Sequence, residues 1–512
     1  MARLSILLAT EGTYPFHRGG VSTWCDALTW KLPEVDFTLL AVMMHPFLAQ
    51  QYPLAPNVRL LPVPLWGTEH PAEFDTTSTF TKYLDRRWKC RPSAISTGLM
   101  EPFDRLLQLA IGQGIDGATE DRQRLAETLV ELHEFFLGHD IRRALFSRAI
   151  WDLFDARVRE LHAAEHPAAG DTPAADVAEA LRLLYRLFLS LAIRIPQVDV
   201  THSAAAAFCG LPCIAARLTR GTPYLLTEHG IYVREQYLNL RRTIKSPFVR
   251  WFMYQLIGAV TAVNYHVADQ ISPVCAYNAR WETWAGVPSN RIRVIHNGVD
   301  PQRFYPAPRA TEGSGPSAVE RSPTIVSVGL IYPLKGQLEL IEAAALVRRR
   351  VPDVRVLMYG SVNDAEYFEL CRRRVRSLGL EDCVTFAGPT SEPWTAYQQA
   401  DVVAMASVSE AFPYAVIEAM LCEAAVVATD TGGVGEALGD AGILVPPRDA
   451  RRMANGLIQL LRDAGQRRTL GAMARVRALT HFRQELFLQA HRETYEQLHA
   501  HAPQASGDRH AA

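Results

Sequence analysis

Short apolar runs of three to six residues recur along this 512-residue chain with helix-patterned stretches between them, and the rhythm occurs twice, on either side of a segment suited to neither. The first series is Leu4–Ala9, Phe37–Val42, Val58–Val63, Val198–His202, Tyr224–Thr227, Ala259–Val263 and Ile292–Ile295, with a helical pattern over Val21–Leu32. The second is Thr324–Val328, Val354–Tyr359, Val384–Ala387, Val402–Met405, Val426–Thr429 and Ile443–Val445. Apolar runs this short are buried strands, and strands alternating with helices build parallel βαβ sheets. The pattern therefore predicts an α/β chain of two Rossmann-like doubly wound domains. Ligands of such sheets bind beyond the carboxyl ends of the strands, so two of them facing each other would enclose a cleft.

The rhythm is interrupted from about residue 74 to 195 by long amphipathic stretches, Arg124–Phe136 and Ile141–His162 among them, with a loop over His166–Pro173. These predict a helical insertion in the first domain. Pro306–Pro323 is rich in Pro, Gly, Ser and Ala without periodicity and reads as a linker. The expected organisation is a first domain over 1–305, a linker over 306–323, a second domain over 324–478, and a C-terminal helix and tail over 479–512.

Composition narrows the function. With 48% apolar and 21% charged residues the chain can bury large cores, and a net charge of −1 gives no basic field for a nucleic acid. The opening run from Arg3 meets Glu11, Gly12 and Pro15 with no small-residue cleavage pattern, so it reads as a strand, not a signal peptide. Trp251–Asn264 is interrupted by Gln255 and falls short of the ~18 residues that suggest a membrane span. The eight cysteines are scattered, and the close pair Cys209 and Cys213 lacks a second metal-ligand cluster, so buried thiols in the reducing cytoplasm are expected.

The densest chemistry follows the run Val402–Met405, where Glu410 and Glu418 stand seven residues apart in Ser409-Glu410-Ala411-Phe412-Pro413-Tyr414-Ala415-Val416-Ile417-Glu418. Pro413 suits the first turn of a helix, which places Glu410 in the preceding loop and Glu418 in the helix. Amides at that helix start can hold diphosphate oxygens, and the carboxylates can accept from sugar or ribose hydroxyls. A structural reading, with Glu410 capping the helix and Glu418 on a solvated face, stays open. Lys335, in the loop after Thr324–Val328, is placed to neutralise a departing diphosphate. In the first domain, Arg18 precedes the pair Gly19 and Gly20 after the opening strand, where backbone amides can approach a phosphate closely or simply turn. His229, in Thr227-Glu228-His229-Gly230-Ile231-Tyr232-Val233-Arg234, can donate to a donor hydroxyl or a developing charge.

Glu410-x7-Glu418 on a strand–loop–helix, followed by Val426-Val-Ala-Thr-Asp-Thr-Gly432-Gly433-Val-Gly-Glu436, resembles the retaining glycosyltransferases of family 4, which have the GT-B fold. Supporting matches are Val328-Gly329 with Lys335-Gly336, Phe386-Ala387-Gly388, Tyr397-Gln-Gln-Ala-Asp401 and Val294-Ile-His-Asn297-Gly298-Val-Asp300 through Phe304. The resemblance implies that Glu418 binds the nucleotide ribose and Glu410 the donor sugar, with Gly19, Gly20, Lys335, Gly388, Phe412 and Pro413 completing the donor site, the Gly19–Gly20 segment resembling the family's acceptor-side loop, and His229, Lys335 and Glu410 as the catalytic residues. It implies a metal-independent reaction with no cofactor beyond the nucleotide-sugar donor, which is a substrate. The family's usual arginine after the strand glycine is Leu330 here, so Arg18 and Arg234 are candidate phosphate ligands in its place. The Glu-Gly-Thr opening, the Thr-Glu-His-Gly-Ile-Tyr segment and the helical insertion resemble the PelF-like subgroup of exopolysaccharide glycosyltransferases. That implies a UDP-sugar donor, UDP-glucose above all, a glycan acceptor, and leaves open a membrane polysaccharide-synthase complex as partner. Two alternatives share the architecture: a nucleotide-sugar epimerase and a non-catalytic nucleotide-sugar-binding scaffold.

Overall fold

The computed structural model describes residues 3–67, 80–168, 170–307 and 322–502. The chain divides into two compact units, the first made of residues up to Pro273, Ala279–Arg293 and the chain from Arg492, the second of Val274–Asn278 and Val294–His491. The domain boundary expected near Phe304 thus differs from the structure, in which Val294–Phe304 counts with the second unit. Most of the expected linker, and the start of the expected insertion, lie outside the described residues.

The first unit holds six parallel strands, β1 (Leu4–Glu11), β2 (Val35–Met43), β3 (Val58–Pro64), β4 (Val200–Ser203), β5 (Tyr224–Glu228) and β6 (Gln270–Pro273), in the order β3-β2-β1-β4-β5-β6. Between β3 and β4 the chain is helical, as the amphipathic pattern predicts. The expected single helix from Ile141 is instead two, Ile141–Leu145 and Arg148–Glu165. Ser147 restarts the second by accepting a hydrogen bond from the Ile150 amide, as an N-cap does.

Two expected strands are corrected. Ala259–Val263 lies inside a 21-residue helix, Pro247–Val267, and Ile292–Ile295 forms no strand beyond a single bridge from Ile292 to Ile271. From Leu256 to Tyr265 every residue of the helix is buried, while Pro247, Arg250, Trp251 and Tyr254 keep one side of its first turns open. A helix apolar all round shows no 3.6-residue alternation, so its β-branched run reads as a strand. Its start is set by Ser246, which accepts from the Val249 amide at 3.2 Å, and by Pro247. Gly258 lets it approach Ile115, whose backbone nitrogen would lie 3.0 Å from any β-carbon added there.

The second unit repeats the scheme with β7 (Thr324–Val328), β8 (Arg355–Tyr359), β9 (Val384–Gly388), β10 (Val402–Met405), β11 (Val426–Thr429) and β12 (Ile443–Val445), ordered β12-β11-β10-β7-β8-β9 and all parallel. Strand positions here match the sequence reading within a residue or two. The chain ends in helices Ala464–His481 and Gln484–Ala500. The second begins in the second unit and finishes in the first, where Tyr495 is fully buried.

Candidate functional site

In each sheet the chain winds outward one way from a central strand and then the other way, leaving a crevice between two neighbouring strand ends. In the second unit that reversal falls between β7 and β10. The loop after β7 turns at Pro333–Lys335 and passes through Gly336 at φ 65°. A β-carbon on Gly336 would overlap the Ala406 carbonyl oxygen, so glycine is what lets this loop lie against the one after β10. The Val408 amide donates to the Leu334 carbonyl at 2.8 Å and fixes the approach.

Lys335 Nζ stands 2.5 Å from Glu410 Oε1, to which Ser407 Oγ also donates at 2.7 Å. The Thr429 hydroxyl at the end of β11 donates in turn to the Ser407 carbonyl. Burial works against the Lys335 charge, but the Glu410 carboxylate outweighs it and raises the ammonium above its ordinary range. Gly432, at φ 58°, carries the loop after β11 against Glu410, whose carbonyl oxygen a β-carbon there would overlap.

Pro413 is the residue before the helix Tyr414–Leu421, one place earlier than expected. Glu418, within that helix, accepts from the Tyr397 hydroxyl at 2.8 Å. Burial pushes its carboxyl up to about 7, with the Tyr397 hydrogen bond and the Arg303 charge pulling the other way. The Arg303 guanidinium is 4.9 Å above the Trp394 ring. Phe412, expected to line the donor site, is a core residue: its ring packs on His296 and Phe482, and its carbonyl accepts from Asn297 Nδ2 at 2.9 Å. Gly388 closes β9 at φ 76°, two strands from β7, and its carbonyl accepts from the Gly360 amide. The structure thus joins Lys335, Glu410, Pro413 and Glu418 in two adjoining loops and a helix and leaves Gly388 at the sheet edge. Leu330 offers no charge at the expected arginine position, and its carbonyl accepts from Gln337 Nε2.

In the first unit the reversal falls between β1 and β4. Glu11, at the end of β1, accepts from the Tyr232 hydroxyl at 2.8 Å and the Cys209 amide at 3.1 Å, and burial raises its pKa. Gly19 precedes the helix Gly20–Lys31 in an extended conformation open to any residue. One turn on, Trp24 meets the His229 ring edge-on at 4.8 Å and the His202 ring at 5.3 Å, so Gly19, Gly20 and His229 share one corner of the unit. Beside His229, Glu228 is fully buried, accepts from the Tyr265 hydroxyl and faces Glu282. Burial raises both carboxyls, and the Glu228 charge raises Glu282 further, so this pair keeps a proton near neutral pH. Arg18 and Arg234 are exposed.

Sequence reasoning missed Ser407, Thr429, Tyr265 and Glu282, which meet their partners only through the fold. Tyr397 was visible as part of a motif, without its role. All eight cysteines are unbridged, and all but Cys90 are buried. Among the described residues no helix is long and apolar enough to cross a membrane.

Residues 4–290 match the family model described as domain of unknown function (DUF3492), and residues 312–477 match glycosyl transferases group 1. Curated relatives include D-inositol 3-phosphate glycosyltransferases of Kribbella flavida, 34% identical over 202 residues, 38% of this chain and 48% of that one, and of Paenarthrobacter aurescens, 35% over 199 residues with the same coverage. The chain spans about half the length of the curated relatives it matches. Among solved structures, sucrose-phosphate synthase from Thermosynechococcus elongatus superposes with a TM-score of 0.58 at 20% identity, over 97% of this chain and all of that one. Anabaena HepE in complex with UDP does so at 0.57 and 16%, over 96% and 100%. These likenesses give the fold as the α/β two-domain GT-B type.

Proposed function

We propose, for a chain that belongs to the DUF3492 family and carries a glycosyl transferases group 1 match in its second unit, a retaining transfer of a sugar from a UDP-sugar to a glycan acceptor. The observation that carries this reading is the Lys335–Glu410 pair at the switch point of the second sheet, with Glu418 one helix turn beyond. A lysine held charged in a half-buried crevice suits a leaving diphosphate, because negative charge grows there as the anomeric bond breaks. The incoming diphosphate competes with Glu410 for Lys335 and frees the carboxylate to accept from the donor sugar. Glu418 accepts from the ribose hydroxyls, and the first amides of Tyr414–Leu421 serve the diphosphate.

On this reading the donor supplies no metal requirement, and His229 on the first unit donates to the sugar or the developing charge. The acceptor hydroxyl attacks from the face the diphosphate leaves, and the departing phosphate takes its proton. UDP is the favoured nucleotide because HepE binds UDP and UDP-glucose in structures of the same fold. The cytoplasm, where nucleotide sugars and reduced thiols coexist, is the proposed compartment, and an exopolysaccharide assembly complex the proposed setting. One observation favours a donor-binding scaffold instead, the uncharged Leu330.

Thermal unfolding with UDP-, GDP- and ADP-sugars separates the two stages of the claim. A donor at 100 times its dissociation constant stabilises by about 2.7 kcal/mol, a few degrees here. A shift with UDP-glucose that Glu418→Ala abolishes supports donor binding, and no shift with any nucleotide sugar in folded protein overturns it. Release of UDP only when glycan is added separates transfer from epimerisation and from scaffolding.

A further inference from the structure

Away from the strand ends, the first unit holds a cavity of about 910 Å³ between the helices Arg148–Glu165, Tyr232–Thr243 and Pro247–Val267. Its wall is aromatic. Trp251 packs against His162 with ring centroids 4.9 Å apart, and Tyr237 and Tyr254 meet edge-to-face at 5.4 Å while remaining 45% and 37% exposed. Glu165 accepts from Trp251 Nε1 and from Gln255 Nε2, both at 2.8 Å, which fixes the indole with its ring plane set. The rim mixes Glu165, Asp171 and Asp176 with Arg241 and Arg250.

We infer that this cavity binds a segment of a neutral glycan, serving as a holding site for the polymer acceptor; the assignment rests on the proposed transferase function. Pyranose rings present one face of C–H groups, which lie on aromatic planes, and a periphery of hydroxyls, which need both donors and acceptors. Both are present here. A nucleotide or anionic lipid headgroup would bring phosphate to a rim whose three carboxylates outnumber its two arginines, a poor charge match. The volume is in the range that encloses an extended ligand of several rings.

The helix Tyr232–Thr243 gives the site its logic. Its first residue donates to Glu11 at the switch point of the first sheet, and its later turns supply Tyr237 and Arg241 to the cavity. At about 1.5 Å per residue, Tyr232 and Arg241 are roughly 14 Å apart along the helix, a span of a few sugar units. A chain whose growing end lies at the strand ends would thus have its preceding sugars within reach of the aromatic wall.

The test is titration of the full-length chain with cello-, malto- and chitohexaose, followed by tryptophan fluorescence and calorimetry, with UDP-glucose binding measured in parallel. One hexasaccharide should bind, and Tyr237→Ala with Tyr254→Ala should weaken it by about tenfold or more while UDP-glucose affinity is unchanged. Arg241→Ser, on the exposed side of the helix, is the second variant should the double one unfold, and it should weaken the same ligand. Equal binding by the variants, or no binding by any hexasaccharide in protein that still takes up UDP-glucose, overturns the glycan site and leaves the donor reading intact. Hexasaccharide binding without any nucleotide-sugar binding would do the reverse.

Discussion

The two sheets reverse direction in the same way, yet one crevice holds an ion pair and the other buried carboxyls. The second unit places an ammonium and a carboxylate in contact, Lys335 on Glu410, partly open to solvent. The first seats Glu11 against a hydroxyl and an amide, with burial favouring its protonated form, and adds the proton-sharing pair Glu228 and Glu282 close by. One crevice pairs its charges. The other raises the pKa of its acids by burial and sets them close to hydroxyl donors. The same topology therefore yields two crevices that differ in their local electrostatics.

The comparison breaks most visibly at Lys335. Lys335→Met should lower sugar transfer by about 10²–10³-fold, the usual cost of removing one charge-stabilising donor, and should also destabilise the second unit by leaving Glu410 unpaired. Adding Glu410→Gln should restore the melting temperature without restoring transfer, which steady-state kinetics and calorimetry together resolve. If both recover, the pair is structural.

Gly432→Ala tests the loop contact that positions Glu410. The left-handed backbone and the overlap with the Glu410 carbonyl should cost about 1–3 kcal/mol in denaturant unfolding. Gly388→Ala, which has a similar φ but open space around it, should cost only about 1–2 kcal/mol.

Acidity offers a finer separation. Glu418 is raised from 4.5 to about 7, so the folded chain holds a proton that the unfolded chain releases, and its contribution to stability is present below about pH 4.5 and lost as pH rises through about 7. Glu418→Gln should flatten that part of a melting-temperature profile. Glu282→Gln should instead remove the like-charge repulsion with Glu228 and lessen the loss of stability toward alkaline pH. The smallest effects belong to Arg18→Ala and Arg234→Ala, exposed side chains expected to change stability by no more than about 0.5 kcal/mol. A loss of donor affinity in either would draw the first unit into phosphate binding.

Legibility followed burial geometry. The second sheet was readable almost strand by strand because its runs are short and rich in β-branched residues, with glycine or proline flanking Thr324–Val328 and Ile443–Val445 on both sides. The first was less so, since Pro247–Val267 is buried on all sides from Leu256 to Tyr265 and carries no amphipathic signal there. Lys335, Glu410 and Glu418 were legible because helix starts and strand ends fix where such residues fall. Ser407 and Thr429, which orient Glu410, were not, because a hydroxyl's partner depends on which loops a glycine allows to touch. Phe412 was misread for the same reason: its backbone lies by the site and its ring turns into the core.

Tyr495 donates or accepts at His202 Nδ1, 2.7 Å away, and His202 is itself bonded to Thr227 at the end of β5. The last helix thus returns a residue from the chain's end to the interior of the sheet that its opening built. For recombination this makes the protein a sandwich in sequence, not a tandem. A chimera that exchanges everything after residue 322 would replace the tyrosine on which His202 rests, whereas an exchange running from Val294 to His491 would carry all of the second unit but Val274–Asn278 and leave that tyrosine in place.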